Sequence, residues 1–179
     1  MKNGKIVLLN GVSSSGKSTL AKHLAEHLPD YLLLSLDDIG KLIFQMRNKK
    51  LKPPTSEIAF YSNYKLPLKP YLFHRIIRLI HDYSYNIIVD AVIDNRDVAE
   101  DINAIFDKDD IIYVAVLCPI EELERRERVR GDRPIGLAKS QVESFHTNNK
   151  YDVEVDTFNN TLDECVEKIV NFINKGDKT

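Results

Sequence analysis

The sequence predicts an α/β fold in which a parallel β-sheet lies between two layers of helices. Short apolar runs alternate along the chain with longer segments of helical periodicity, as they do in βαβ units. A motif of the form G-x-x-x-x-G-K-[ST] also lies directly between the first apolar run and the first helical segment. No stretch resembles a linker or an internal repeat, so we expect residues 1–179 to form a single domain.

Five apolar runs are the predicted strands of the sheet. The middle three are nearly continuously apolar, which is typical of strands that helices cover on both faces. The predicted strands are Lys5–Asn10, Tyr31–Leu36, Asn86–Ala91, Asp110–Leu117 and Tyr151–Val155.

Helical periodicity defines the segments between the runs. Leucines recur every four positions in the segment that follows the motif, and Thr161 with Glu164 forms a capping box before the last helix. A further helix is expected to contain Ile39, Leu42 and Ile43. The four longer predicted helices are Lys17–Leu28, Tyr71–Tyr83, Ile120–Arg130 and Leu162–Ile173.

The composition is that of an ordinary globular protein. Apolar residues make up 43% and charged residues 29% of the chain, and the net charge of −2 gives no overall basic field to attract nucleic acid or anionic lipid. Cys118 and Cys165 match no metal-ligand spacing, so they are interpreted as small buried apolar residues in a reducing compartment. No apolar run approaches the roughly 20 residues of a membrane-spanning helix. These features predict a cytoplasmic protein with no membrane partner.

The motif predicts a phosphate-binding loop. Its glycines allow a tight turn in which successive N–H groups form an anion-binding nest, and the following helix adds its positive dipole end. Lys17 is predicted to contact the β- and γ-phosphates of a nucleotide, and the Ser18 hydroxyl is predicted to ligate magnesium. The predicted nucleotide-binding residues are Gly11, Val12, Ser13, Ser14, Ser15, Gly16, Lys17, Ser18 and Thr19.

Acidic residues follow two of the predicted strands. In open parallel sheets the ligand lies beyond the carboxyl ends of the strands, and Asp37, Asp38 and Asp90 fall there. A carboxylate at this edge can orient an acceptor hydroxyl and take its proton, and we assign that role to Asp37. Asp38 either contacts the acceptor or caps the following helix. Asp90 is assigned to magnesium, with orientation of the acceptor as the alternative.

Residues 119–137 are predicted to form an arginine-rich lid. Guanidinium groups suit a transferring phosphoryl group because its charge is spread over three oxygens, and Gly131 and Gly136 provide turns. Arg126, Arg130 and Arg133 are predicted to contact phosphate during catalysis. The remaining two arginines of the segment, Arg125 and Arg128, are interpreted as solvated residues.

Residues 40–70 are predicted to form a partly irregular excursion that binds the acceptor. The segment contains four prolines and a cluster of lysines, and long loops inside a compact domain are usually functional. Its aromatic residues Phe60, Tyr61 and Tyr64 are candidate acceptor contacts. They could instead pack on the domain, or stack on the bases of an RNA end.

Taken together, these residues resemble the chloramphenicol phosphotransferase family. The resemblance covers Gly11–Ser18, Asp37 and Ile87–Asp90, and then Arg126–Glu127 and Arg130–Arg133. It continues at His146 and Tyr151–Thr157. It implies a three-layer P-loop fold similar to shikimate and adenylate kinases, with a five-stranded parallel sheet. It also implies phosphorylation of a hydroxyl on a small antibiotic-like molecule with ATP and Mg2+, and Asp37 as the base.

The acceptor is left open by the sequence, because residues 40–70 carry no match to that family. The alternatives are chloramphenicol itself, another small hydroxyl compound such as a nucleoside or a sugar-like metabolite, and an RNA end. A GTP-dependent switch is not predicted, because the N-K-x-D tetrapeptide at 174–177 follows a helix rather than a strand.

Overall fold

A computed structural model describes residues 4–47, 69–93, 96–131, 135–145 and 150–176. Their strands form one five-stranded parallel sheet in the order β2-β3-β1-β4-β5. The strands are β1 (Ile6–Asn10), β2 (Tyr31–Ser35), β3 (Asn86–Ala91), β4 (Ile111–Leu117) and β5 (Val153–Asp156). All five predicted strands and their parallel arrangement are therefore confirmed.

Seven helices occur in the described residues. They are α1 (Lys17–His27), α2 (Leu36–Arg47), α3 (Lys69–Asp82), α4 (Arg96–Ile105), α5 (Ile120–Arg130), α6 (Leu137–Phe145) and α7 (Leu162–Gly176). The sequence patterns predicted five of them. They missed α4 and α6, which are the two shortest of the described helices. None of the described helices is long and apolar enough to cross a lipid bilayer.

The central strand β1 shows why the fold has three layers. All five of its residues are buried, and alternate side chains point to opposite faces of the sheet. Val7 and Leu9 pack in a core that includes residues of α1 and α7. Ile6 and Leu8 pack in a second core with residues of α3 and α4. Helices therefore cover both faces, as the apolar runs predicted.

We predicted that helices cover both faces of β2, but Leu32 and Leu33 are 43% and 36% exposed. Among the described strands, β2 lies at the edge of the sheet and pairs only with β3. An apolar run predicts a strand, but the run does not say whether the strand will lie at the centre or at an edge.

Parallel pairing brings the carboxyl ends of all five strands to one edge of the sheet. In the register, Leu9 of β1 lies opposite Asp90 of β3, and Asp90 lies opposite Ser35 of β2. The loop after β1 and the helix that begins after β2 therefore emerge beside Asp90. This edge carries the candidate site.

Candidate active site

The phosphate-binding loop joins β1 directly to α1, in the strand–loop–helix context that the motif requires. Gly16 has a left-handed φ of 87°, and a Cβ there would lie 3.3 Å from Thr157 Oγ1 and 3.4 Å from Arg126 Nη1. A Cβ on Gly11 would lie 2.6 Å from Ser15 Oγ and 2.9 Å from the Val116 carbonyl oxygen. Only glycine fits both positions without displacing the loop's neighbours.

Two side chains of this loop are orphaned polar groups. Ser14 and Ser15 are buried, and neither Oγ has a hydrogen-bond partner among the described residues. Ser14 also adopts a positive φ of 62°, which is uncommon for a residue with a side chain. Because nearly all buried polar groups in proteins are hydrogen-bonded, two unpartnered hydroxyls side by side fit a loop that is completed by an anionic ligand.

Lys17 of α1 and Asp90 of β3 form a buried ion pair at the centre of the site. Lys17 Nζ donates a hydrogen bond to Asp90 Oδ1, and the two side chains are 11% and 7% exposed. The sequence predicted both residues as functional but did not predict their contact. The next two residues of α1, Ser18 and Thr19, are exposed at the start of the helix.

The two acids after β2 differ in their environment. Helix α2 begins at Leu36, so Asp37 and Asp38 both lie in its first turn, and the alternative that Asp38 caps the helix is not observed. Asp37 is half-buried, whereas the Asp38 side chain is 75% exposed and lies 3.6 Å from Lys41 Nζ. Only Asp37 therefore combines partial burial with a position two residues beyond Ser35, which lies opposite Asp90.

Arg126 of α5 reaches the phosphate-binding loop. Its guanidinium donates to the Ser14 carbonyl at 3.4 Å, and to Thr157 Oγ1 at 3.3 Å and the Thr157 carbonyl at 3.2 Å. Its Nε donates to Glu122 at 2.8 Å. Hydrogen bonds from Arg125, together with those from Arg126, lower the pKa of Glu122 to about 2. Glu122 therefore stays ionised and holds Arg126 beside the loop.

Beside the loop lies an open cavity of about 390 Å³. Thr157 lies in the turn after β5 and lines this cavity. Its hydroxyl donates a hydrogen bond to the Ser15 carbonyl at 2.6 Å, which links this turn to the phosphate-binding loop. Arg125 and Arg130 are both exposed and both line this cavity, and Arg125 is also paired with Glu122. The lining residues are Ser14, Gly16, Thr19, Arg125, Arg126, Val129, Arg130, Thr157 and Leu162.

Helix α6 contributes a residue that sequence reasoning missed. The backbone N–H of Ser13 in the phosphate-binding loop donates to Gln141 Oε1 at 2.7 Å, between residues 128 positions apart. Val12 of the same loop packs with Leu123 of α5 and Ala138 of α6. The loop is therefore in direct contact with both helices that flank residues 131–136.

Glu127 explains the position of α6, and it was also missed. It is fully buried in α5, and its carboxylate accepts hydrogen bonds from the N–H groups of Gly136 at 2.9 Å and Ala138 at 2.7 Å. Backbone N–H groups at a helix start are unsatisfied within the helix, and a carboxylate also suits the positive dipole end there. Glu127 thus caps α6 from the neighbouring helix.

A buried asparagine that the sequence reasoning also missed ends β1. Asn10 accepts a hydrogen bond from the Ile93 N–H at 2.8 Å, and its Nδ2 donates to Tyr151 Oη at 2.9 Å. Asn10 therefore ties the start of the phosphate-binding loop to the segments after β3 and before β5.

Several predicted positions lie outside the described residues. They are the candidate phosphate contact Arg133, the aromatic residues Phe60, Tyr61 and Tyr64, and His146.

The chain is similar to known phosphotransferases along almost its whole length. A family model described as chloramphenicol phosphotransferase-like protein matches residues 4–174. A Mycobacterium tuberculosis protein provisionally named an O-phosphotransferase is 28% identical over 184 residues, which cover 94% of this chain and 82% of the relative.

Solved kinases share the fold at low sequence identity. The APS kinase of Mycobacterium tuberculosis, solved with AMPPNP and APS, has a TM-score of 0.67 at 17% identity, covering 97% of this chain and 99% of that one. Shikimate kinase from Acinetobacter baumannii, solved with shikimate, has a TM-score of 0.68 at 15% identity, covering 96% and 94%. The predicted P-loop kinase fold is confirmed, and the match at 4–174 shows that the chain belongs to the chloramphenicol phosphotransferase-like family.

Proposed function

We propose that this protein transfers the γ-phosphoryl group of ATP to a hydroxyl group of a small molecule. The observation that carries the proposal is the buried Lys17–Asp90 ion pair beside a glycine-dependent loop with two orphaned hydroxyls. Burying a lysine and a carboxylate costs desolvation energy that their mutual attraction repays only in part, so the pair is better explained by a role in binding than by stability. A phosphate-binding loop with a lysine and a nearby acid suits a nucleoside triphosphate.

The nucleotide would bind along the loop with its nucleoside in the adjacent cavity. A volume of about 390 Å³ is within the usual range of small-ligand sites. The cavity lies between Gly16, Arg126 and Thr157 and therefore adjoins the phosphate-binding loop. The phosphates would then meet Lys17 and the backbone N–H groups of the loop.

Ser18 at the start of α1 and Asp90 of β3 fit a magnesium ion. Ser18 offers an exposed hydroxyl, and Asp90 offers a carboxylate whose present partner is a lysine. Hard oxygen donors of this kind suit Mg2+, which usually binds through one or two protein groups and the phosphates themselves. When bound, the ion would neutralise charge on the phosphate oxygens. On this proposal Lys17 would turn from Asp90 to the phosphates.

Asp37 is the proposed base. Its carboxylate would accept the proton of the acceptor hydroxyl while that oxygen bonds to the γ-phosphorus and the bond to ADP breaks. The exposed neighbour Asp38 is already opposite Lys41 and has no comparable position. Phe60, Tyr61 and Tyr64 stay candidate contacts of the acceptor.

Arg126 and Arg130 of α5 reach the proposed nucleotide site. The hydrogen bonds of Arg126 to the Ser14 and Thr157 carbonyls hold it at the boundary between loop and cavity. Arg130 lines the cavity farther out. We propose that Arg126, Arg130 and Arg133 of the lid stabilise the charge of the transferring phosphoryl group.

The direct test measures phosphoryl transfer from ATP with magnesium to chloramphenicol by mass spectrometry. Lys17→Ala and Asp37→Asn are compared with wild type, and Asp38→Asn is the matched control for the charge change. The proposal expects a phosphorylated product that disappears in the first two variants and persists in the third.

Two failures are distinguishable by a parallel titration of ATP. If ATP binds but chloramphenicol is not phosphorylated, the acceptor is a different hydroxyl compound, and nucleosides, sugars, other antibiotics and RNA ends are the next acceptors to test. If ATP does not bind at all, the proposed function is wrong.

A further inference from the structure

Three metal-ligating side chains meet on the outer surface where α1 packs beside α7. His23 and His27 are separated by about one turn of α1, so they share a face of the helix, and Asp163 lies in the first turn of α7. One possible ligand atom from each of the three residues lies within 4.8 Å of the others. We propose that His23, His27 and Asp163 form a binding site for a divalent transition-metal ion, with Zn2+ as the preferred ion.

The two helices that carry the ligands are held together by a common core. Leu20 and Leu24 of α1 are buried in the same cluster as Cys165 and Ile169 of α7. The backbone of the site is therefore fixed before any ion binds. Only the exposed side chains of His27 and Asp163 would need to turn, and the latter is 83% exposed.

A hydrogen bond fixes the His27 ring in a form suited to a metal. His27 Nδ1 lies 2.9 Å from the His23 carbonyl oxygen, which can only accept, so Nδ1 carries the proton and Nε2 keeps its lone pair. His23 Nδ1 lies 3.2 Å from Glu26 Oε2 and its Nε2 lies 2.6 Å from Asp163 Oδ1, so both nitrogens donate to carboxylates. A metal ion at Nε2 would replace the proton there, while Nδ1 keeps its hydrogen bond to Glu26. A carboxylate or carbonyl on the second ring nitrogen is the usual support of a metal-bound histidine.

The donor set selects the class of ion. Two imidazole nitrogens and one carboxylate oxygen suit zinc and its neighbours, with water as the fourth ligand, and not the all-oxygen shells of calcium or magnesium. In a tetrahedral site with zinc bonds of about 2.0–2.1 Å, the ligand atoms lie about 3.4 Å apart. His23 Nε2 and Asp163 Oδ1, now 2.6 Å apart, would separate to admit the ion, and the exposed His27 side chain would turn toward it.

The site is separate from the proposed nucleotide site. The phosphate-binding residues occupy the start of α1, whereas His23 and His27 occupy its last two turns. An ion there would cross-link α1 to α7 without touching Lys17 or Ser18. Its binding is therefore measurable on the nucleotide-free protein and does not depend on the proposed phosphotransferase activity.

The test is a calorimetric titration of Zn2+ into the full chain, freed of any affinity tag and in the absence of nucleotide. We expect one ion per chain with a Kd of micromolar order. His27→Ala and Asp163→Asn should each weaken binding at least tenfold. Glu26→Gln should weaken it by a smaller factor because it removes only the support of the His23 ring. The control Glu121→Gln, at an exposed position of α5, should leave the affinity unchanged.

A second measurement reports on the cross-link itself. A large excess of Zn2+ over its Kd should raise the Tm of wild type by about 5 °C or more, and His27→Ala should show no such rise. Absence of binding to wild type, or equal binding by wild type and a His27→Ala/Asp163→Asn double variant, would overturn the proposal. Circular dichroism establishes that each variant is folded.

Discussion

Lys17 donates a hydrogen bond to Asp90 across the boundary between α1 and β3, and neither side chain is more than 11% exposed. The sequence places the two residues 73 positions apart, and the parallel pairing of β1 with β3 brings them together. Each of the two charges is therefore the partner of the other. On the proposed function, a bound triphosphate would replace Asp90 as the partner of Lys17.

The pair predicts a coupled effect of mutation on stability. Lys17→Met leaves the Asp90 carboxylate buried without a counter-charge, and breaking a buried pair in this way costs about 3–5 kcal/mol. Lys17→Met/Asp90→Asn removes both charges, so it should be less destabilised than the sum of the two single variants. Urea denaturation of the four proteins measures this coupling. Additive single effects would show that the two charges do not stabilise each other.

Asp37 and Asp38 provide a matched pair for testing the proposed base. Asp37→Asn should lower kcat by about 10²-fold or more, the usual contribution of a positioned base, while the Kd for ATP stays near that of wild type. Asp38→Asn should change kcat little, because the Asp38 side chain is 75% exposed. Steady-state kinetics with an acceptor that the enzyme phosphorylates measure kcat for both variants, and an ATP titration measures the Kd. Equal losses in both variants would argue against Asp37 as the base.

Gln141 is predicted to compete with the nucleotide for the phosphate-binding loop. Its Oε1 accepts the Ser13 N–H, a hydrogen bond that a phosphate oxygen would have to replace. A net hydrogen bond contributes about 0.5–1.5 kcal/mol, so Gln141→Ala should tighten ATP binding by about two- to tenfold. The exposed neighbour Lys139→Ala is the control. Weaker binding by Gln141→Ala would instead make this side chain a ligand of the nucleotide.

These residues show what the sequence could and could not predict. The strands, the phosphate-binding loop and α1 were predictable because each depends on neighbouring residues: apolar runs, glycines at turns, leucines every four positions. Glu127 and Gln141 carry no such signal. A buried glutamate inside the highly charged segment Ile120–Arg130 looks like its solvated neighbours, and its burial depends on Gly136 and Ala138.

The same limit applies to distant contacts of the site. Thr157 lies 142 residues from Ser15, whose carbonyl it contacts, and only the order of β1, β4 and β5 brings the two together. The edge position of β2 also follows from strand order, which no pattern within the strand reveals. Sequence patterns therefore predicted which residues could bind a nucleotide, whereas the topology determines which residues support them.

Glu127 should be important for stability although it faces no solvent. Hydrogen bonds to a charged group contribute about 1.5–3 kcal/mol each, and Glu127 accepts two. Glu127→Gln keeps one acceptor oxygen and should lower the free energy of unfolding by about 2 kcal/mol or more. Glu121→Gln makes the same charge change at an exposed position of α5 and should have little effect. The denaturant midpoints of the two variants measure the difference, and equal midpoints would contradict the capping role.

His74 of α3 predicts a loss of stability in mild acid. The imidazole is buried, and its Nδ1 lies 2.7 Å from Asp101 Oδ2. Burial lowers the pKa of His74 below 6.5, and this effect outweighs the opposing hydrogen bond that His74 donates to Asp101. Below pH 6.5 the unfolded chain therefore takes up the proton first, so the free energy of unfolding should fall as the pH drops from 6.5 to the pKa of the folded state.

Asp101 acts in a separate range of pH. Burial raises the pKa of Asp101, but hydrogen bonds from His74 and Arg75 outweigh burial and hold it below 3.8, so the contribution of Asp101 is lost only in stronger acid. The variant His74→Asn keeps a donor near Nδ1 but does not titrate, and it should flatten the stability curve below pH 6.5. Urea denaturation of both proteins across that range measures the slope. An unchanged slope in His74→Asn would assign the acid sensitivity to other groups.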